Sequence, residues 1–148
     1  MNRATLTQSR ELLVVVMSHD GRVLLKQESG DSWWWPLRFT AAAEQSFLSA
    51  FREVRLRDPV LGAGRVGPVV ARLCREAVVE GRPVCQEFRL FIVKPASVAG
   101  PPGIEGGMWW PIGRLGGPGV ATFPLELGVL LEGYVGGWIP SSVVTLDA

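Results

Sequence analysis

EQSFLSAFREVRLRDPV, residues 44–60, carries the periodicity of a single amphipathic helix. Phe47, Phe51 and Val54, with Leu48 beside them, fall at i, i+4 and i+7, the spacing of one buried helical stripe. Pro59 stops a helix, so the pattern predicts one from about Ala42 to Arg57. Positions three and four apart share a face, so 53, 56 and 57 line up away from the stripe, and they read Glu, Leu, Arg.

Working outward, ELLVVVM (11–17) is β-branched and apolar enough for a buried strand. SHDG (18–21) supplies a turn, and RVLLKQ (22–27) pairs back as a hairpin. ESGDSWWWPLRFT (28–40) reads as a loop around a short aromatic strand. After the helix, residues 64–95 give two long strands around VEGRP, and Gly and Pro mark 96–107 as a flexible loop. MWWPIGRLG (108–116) is a short strand and turn. FPLELGVLLEGYVGG (123–137) is a second helix with Pro in its first turn and Gly past its end. The tail 138–148 is expected to be loosely attached or an oligomer contact. Strands interspersed with helices predict an α+β or α/β class with a mixed sheet between helices.

Size and composition bound the function. The 148 residues fit one domain, with its core at about 11–137. Forty-seven per cent hydrophobic and 20 per cent charged residues exclude wholesale disorder. A net charge of +1 gives no electrostatic case for nucleic acid or an anionic membrane surface. No apolar run reaches the roughly 20 residues of a membrane span, and the N-terminus does not read as a signal peptide. Cys74 and Cys85 make no disulfide framework and read as reduced core thiols, which suggests a cytoplasmic protein. The one histidine, His19, excludes a multi-histidine metal site and sits in a turn rather than a catalytic triad. GAGRVG (62–67) opens a strand rather than a helix, so it is no dinucleotide motif.

This order of elements resembles the Nudix hydrolases. Their signature, Gly-x5-Glu-x7-Arg-Glu-U-x-Glu-Glu-x-Gly-U with U aliphatic, fits in one register. Glu44 takes the first glutamate, Arg52-Glu53-Val54 takes Arg-Glu-U, and Val60 takes the last aliphatic place. Upstream, WWWP matches an aromatic-x-x-Pro entry to the box. Downstream, MWWPIGRL followed by FPLELGVLL looks like the family's Trp-Trp-Pro strand and closing helix. The resemblance covers about 11–137 and implies a Nudix-like α/β/α sandwich.

The departures fall on the chemistry. Leu37-Arg38 replace the box glycine and the glycine before it, Leu56-Arg57 replace the paired glutamates, and Pro59 replaces the last glycine. An intact box presents carboxylates at 53, 56 and 57 to magnesium, which wants oxygen ligands. Here Glu53 alone remains, weak as a metal ligand, and Arg57 repels the ion. Two readings follow. In one, the chain lacks magnesium-dependent pyrophosphohydrolase activity and binds a phosphorylated or nucleoside-like ligand, or a partner. In the other, it is a divergent hydrolase of nucleoside-diphosphate-linked compounds that uses Glu44, Glu53 and Glu105 with magnesium. Arg52 resembles the arginine that orients an adjoining glutamate, Glu44 or Glu53, by an ion pair. Arg38 and Arg57 take places that face substrate phosphates in the family, and guanidinium groups bind phosphate well. The other reading is surface charges, Arg57 suiting a helix C-terminus.

Five of six tryptophans cluster at 33–35 and 109–110. Strand alternation would put Trp33 and Trp35 on one face and Trp34 on the other. Trp33, Trp35 and Trp109 are candidates to stack on a flat ligand; the alternatives are core packing or a homodimer contact.

Overall fold

The computed structural model describes residues 7–27, 32–58, 61–62, 64–94, 107–137 and 143–146. Its strands are β1 (Thr7–Met17), β2 (Arg22–Gln27), β3 (Trp34–Trp35), β4 (Leu37–Thr40), β5 (Arg65–Val79), β6 (Arg82–Lys94), β7 (Gly107–Pro111) and β8 (Val143–Thr145). Helix α1 is Phe47–Arg57 and helix α2 is Leu127–Gly136. The strands form one mixed sheet in the order β3-β2-β1-β6-β5-β8, with β4 on β1 and β7 on β2. β1 runs parallel to β6 from Thr7↔Val84 to Val16↔Val93, and β5 returns antiparallel to β6.

Side-chain alternation sorts the strands into two faces. Leu12, Val14 and Val16 of β1 meet Leu24, Leu37, Phe91 and Val93 beneath Phe47, Ala50 and Phe51 of α1. Leu13, Val15 and Met17 point the other way, to Leu90, Ile92, Leu127, Leu130 and Leu131 under α2. Two helices thus sandwich the sheet, each held by its own apolar cluster. Among the described residues no helix is long and apolar enough to cross a membrane.

The long hairpin is locally encoded. Glu80 (φ 52°) and Gly81 (φ 75°) turn β5 into β6, and two successive positive φ values match the right-handed twist of paired strands. Some sequence expectations change. The first helix starts at Phe47, not Ala42. Arg10 on β1 donates through Nη1 to the carbonyls of Ala42 (2.8 Å), Ala43 (3.3 Å) and Gln45, so these cannot all serve a helix. Ser46 then caps it, its hydroxyl accepting from the Ser49 N–H at 3.1 Å. The second helix starts at Leu127, not Phe123. The Phe123 N–H donates to the Trp34 carbonyl and the Trp34 N–H to that of Ala121, which ties this approach to β3. In the tail, the described residues 143–146 are not loose. β8 adds to β5 as a parallel strand, and Leu146 is buried in the α2-side cluster. The loop expected at 96–107 lies outside the described residues except for Gly107, which opens β7.

The thiols are not core residues either. Cys74 is exposed and Cys85 half-buried. They alternate with Leu73 and Val84, which take the buried positions of β5 and β6. His19 stands exposed at the first hairpin, as a turn residue should. Beside it the Ser18 hydroxyl, donating to Asp20, is the main cause that holds the Asp20 carboxyl below its ordinary value.

Candidate functional site

Helix α1 carries the candidate chemistry on its outer side. Its inner side is fixed by Phe47, Ala50 and Phe51, with the Phe51 ring lying against Phe91 at 4.1 Å and 10°. That orientation leaves Arg52, Glu53, Leu56 and Arg57 exposed. Leu56 is 87 % exposed, so no packing need explains it. Glu44 is also exposed, in the turn before the helix rather than on it. Among the described residues no ion pair joins Arg52 to Glu44 or Glu53, so the orienting contact that the resemblance implied is not formed. Glu105 and Trp138 lie outside the described residues.

Whether these residues suit magnesium is a question of donors. Octahedral magnesium is held through one or two carboxylates, supplemented by phosphates and water. The outer stripe offers the Glu53 carboxylate beside an aliphatic side chain and a guanidinium. Among the described residues no three of His, Cys, Asp or Glu converge.

The sequence missed Arg55, which lies between the two sides of α1. It donates through Nε to the Leu61 carbonyl (3.2 Å) and through Nη2 to those of Gly62 (3.2 Å) and Gly64 (2.7 Å). Asp58 ends the helix, its N–H on the Val54 carbonyl, and its carboxylate accepts from the Leu61 N–H at 3.3 Å. A β-carbon at Gly62 would strike the Arg55 carbonyl. Leu61, Gly62 and Gly64 are therefore tied to the end of α1, Leu61 through Asp58 as well.

Asp58 borders a cavity of about 260 Å³ at the edge of the sheet. Trp35 and the 36–39 segment form its apolar wall, and Lys26 and Arg38 supply cations. Arg57, next to Asp58 in sequence, does not line it. The two arginines singled out from the sequence are therefore not brought together. Arg38 lies opposite Leu13 in the β1–β4 ladder, so its side chain leaves the sheet on the α2 side. There its Nε and Nη2 both donate to Glu11 Oε1 (3.0 and 2.8 Å), and the guanidinium lies 4.1 Å from the centre of the Trp35 ring.

The tryptophans depart from simple alternation. Trp34 and Trp35 both pack against the α2-side cluster, because β3 is only two residues long and Pro36 follows it. Trp35 is 5 % exposed, and its ring meets Phe123 at 4.3 Å as well as Arg38. Its ring packs in the interior, and the residue reaches the cavity as wall rather than as an open stacking surface. Trp109 packs beneath α1 and Trp110 on the other face; Trp33 stands exposed.

No family model and no curated protein matches the chain. Solved structures do. Ap4A hydrolase from C. elegans superposes with a TM-score of 0.55 at 14 % identity, over 90 % of this chain and 99 % of that one. The ORF135 protein of E. coli gives 0.50 at 17 % identity, over 92 % and 94 %. Identities this low speak to architecture. With two helices on a mixed sheet and that superposition, the chain has the Nudix-like α/β/α sandwich fold.

Proposed function

We propose that this chain binds a small phosphorylated or nucleoside-like ligand in the cleft beside α1, without magnesium-dependent pyrophosphohydrolysis. The exposed stripe Glu53-Leu56-Arg57 carries the reading, because one carboxylate facing a guanidinium is a poor magnesium site. The edge cavity supports the ligand half: a mostly apolar recess with a few charged groups is the usual form of a small-molecule site. The same reading makes the protein cytoplasmic. It also allows self-association through Val129 and Val135 of α2 and Leu125 just before it, which are exposed; a monomer by sedimentation at micromolar concentration would remove that part.

The test pairs turnover with binding. Release of phosphate or nucleoside monophosphate is assayed from ADP-ribose and nucleoside triphosphates, with Mg²⁺ or Mn²⁺ and with EDTA. The expected result is no metal-dependent turnover, with ligand binding unaffected by EDTA. Metal-dependent turnover abolished by Glu53→Gln would overturn the reading and establish the hydrolase that uses Glu44, Glu53 and Glu105.

A further inference from the structure

The part of the sheet that α1 leaves uncovered is polarised along its strands. On β5, Arg72, Cys74, Glu76 and Val78 alternate with the buried or half-buried Leu73, Arg75 and Ala77, and all four are exposed. Arg89, Glu87, Cys85 and Pro83 of β6 stand opposite them in that order. The register sets Arg72 directly against Arg89, and like charges so placed destabilise a ladder. Arg89 has the Glu87 carboxylate at 3.3 Å, whereas Arg72 donates to the neutral Thr145 hydroxyl at 3.1 Å. Among the described residues neither Arg72 nor Glu76 is in an ion pair. They stand on one face of one strand, separated by roughly 13 Å at about 3.3 Å per residue, and leave each other's charge unmatched.

We propose that this face docks a second copy of the chain, sheet against sheet, about a two-fold axis that lies in the interface and crosses β5 at Cys74. In an isologous contact one patch must complement itself. Cys74 lies midway between Arg72 and Glu76, so a rotation that reverses the strand direction sets Arg72 of each protomer over Glu76 of the other. An axis along the strands would instead set arginine on arginine. An unrelated acidic partner would answer Arg72 alone. A second copy answers the cation and the carboxylate together, because it carries both at the same spacing. Glu87 approaches its own copy on β6, but it brings Arg89 as its counter-charge. Val78, 74 % exposed, continues the row past Glu76 and adds apolar area to the contact. The contact stands apart from the ligand reading and from Val129 and Val135 of α2, so each can fail without the others.

The experiment is sedimentation equilibrium of the full chain at rising concentration, in low and in high salt. A dimer that loosens in high salt is expected. Arg72→Glu and Glu76→Arg are each expected to raise its dissociation constant by about tenfold or more, since each turns two attractive pairs into two repulsive ones. Mixing the two single variants makes both pairs attractive again, and a heterodimer about as tight as the native dimer is expected. That rescue is out of reach of a variant that has merely failed to fold. A short bismaleimide is expected to join two protomers through Cys74, with the link lost in Cys74→Ser and kept in Cys85→Ser. A chain that stays monomeric throughout, or a dimer indifferent to both charge reversals, overturns the proposal. A dimer broken by Val129→Glu and by neither charge reversal assigns self-association to α2 and overturns it too. None of these outcomes touches the ligand reading, which its own turnover and binding assay decides.

Discussion

The inner side of α1 lays Phe47, Ala50 and Phe51 against the sheet, while the outer side holds Glu53, Leu56 and Arg57 in water. On the inner side each residue has a neighbour that fixes its size, as Phe91 does for Phe51. On the outer side no neighbour sets what stands at 56, and a leucine sits there in solvent. Packing constrains one stripe of the helix through the stability of the whole sheet. Only chemistry constrains the other. When the chemistry changes, the second stripe is free to drift while the first is not.

Breaking the inner side should give the largest effect. Phe51→Ala removes a ring that is 2 % exposed and stacked on Phe91, and is expected to cost about 3–5 kcal/mol by urea unfolding. A loss under about 1 kcal/mol would mean that α1 is not anchored as described. Next comes the boundary residue. Arg55→Ala strips the donors from the Leu61, Gly62 and Gly64 carbonyls and should cost about 2 kcal/mol. It should also raise amide exchange in the turn after the helix. A silent substitution there would show that Arg55 does not hold the turn.

How legible each side was follows from the range of the interactions behind it. The inner stripe repeats every three to four residues, so Phe47 and Phe51 announce it in the sequence, and positions 53, 56 and 57 follow from the same period. The start of the helix does not, because Arg10 comes from a strand more than 30 residues upstream to take the carbonyls of the alanine run. The β5–β6 hairpin was legible through its Glu-Gly turn. β8 was not, since a parallel pairing carries no local mark. The cavity was least legible. Lys26 reads as the polar end of a hairpin strand, and only the Lys26↔Trp35 pairing brings it beside β4 and the end of α1.

Ser46→Ala sharpens the same point at the helix entrance. Losing the hydroxyl that accepts from the Ser49 N–H should cost about 1 kcal/mol. If Ala42–Gln45 were helical instead, Ser46 would be an interior position, and alanine there would stabilise slightly. The sign of the change in urea midpoint therefore decides between the two helix starts.

The outer side should tolerate the most radical change with the least effect on stability. Leu56→Glu combined with Arg57→Glu rewrites two exposed positions, and surface substitutions usually stay within about 0.5 kcal/mol. Replacing a cation in the last turn costs a further 0.3–1 kcal/mol or so against the helix dipole. A total near 1 kcal/mol would place the whole stripe below the single Phe51 side chain in structural importance. The same variant sets three carboxylates at i, i+3 and i+4 on one helical face, the donor type and spacing that a hard divalent cation accepts. Mn²⁺ affinity, followed by electron paramagnetic resonance, should then rise by about tenfold or more over the native chain, that is, by at least 1.4 kcal/mol. A stable variant with unchanged Mn²⁺ affinity would show that positions 56 and 57 never faced a metal in this fold, and that the outer stripe differs from the box by more than two side chains.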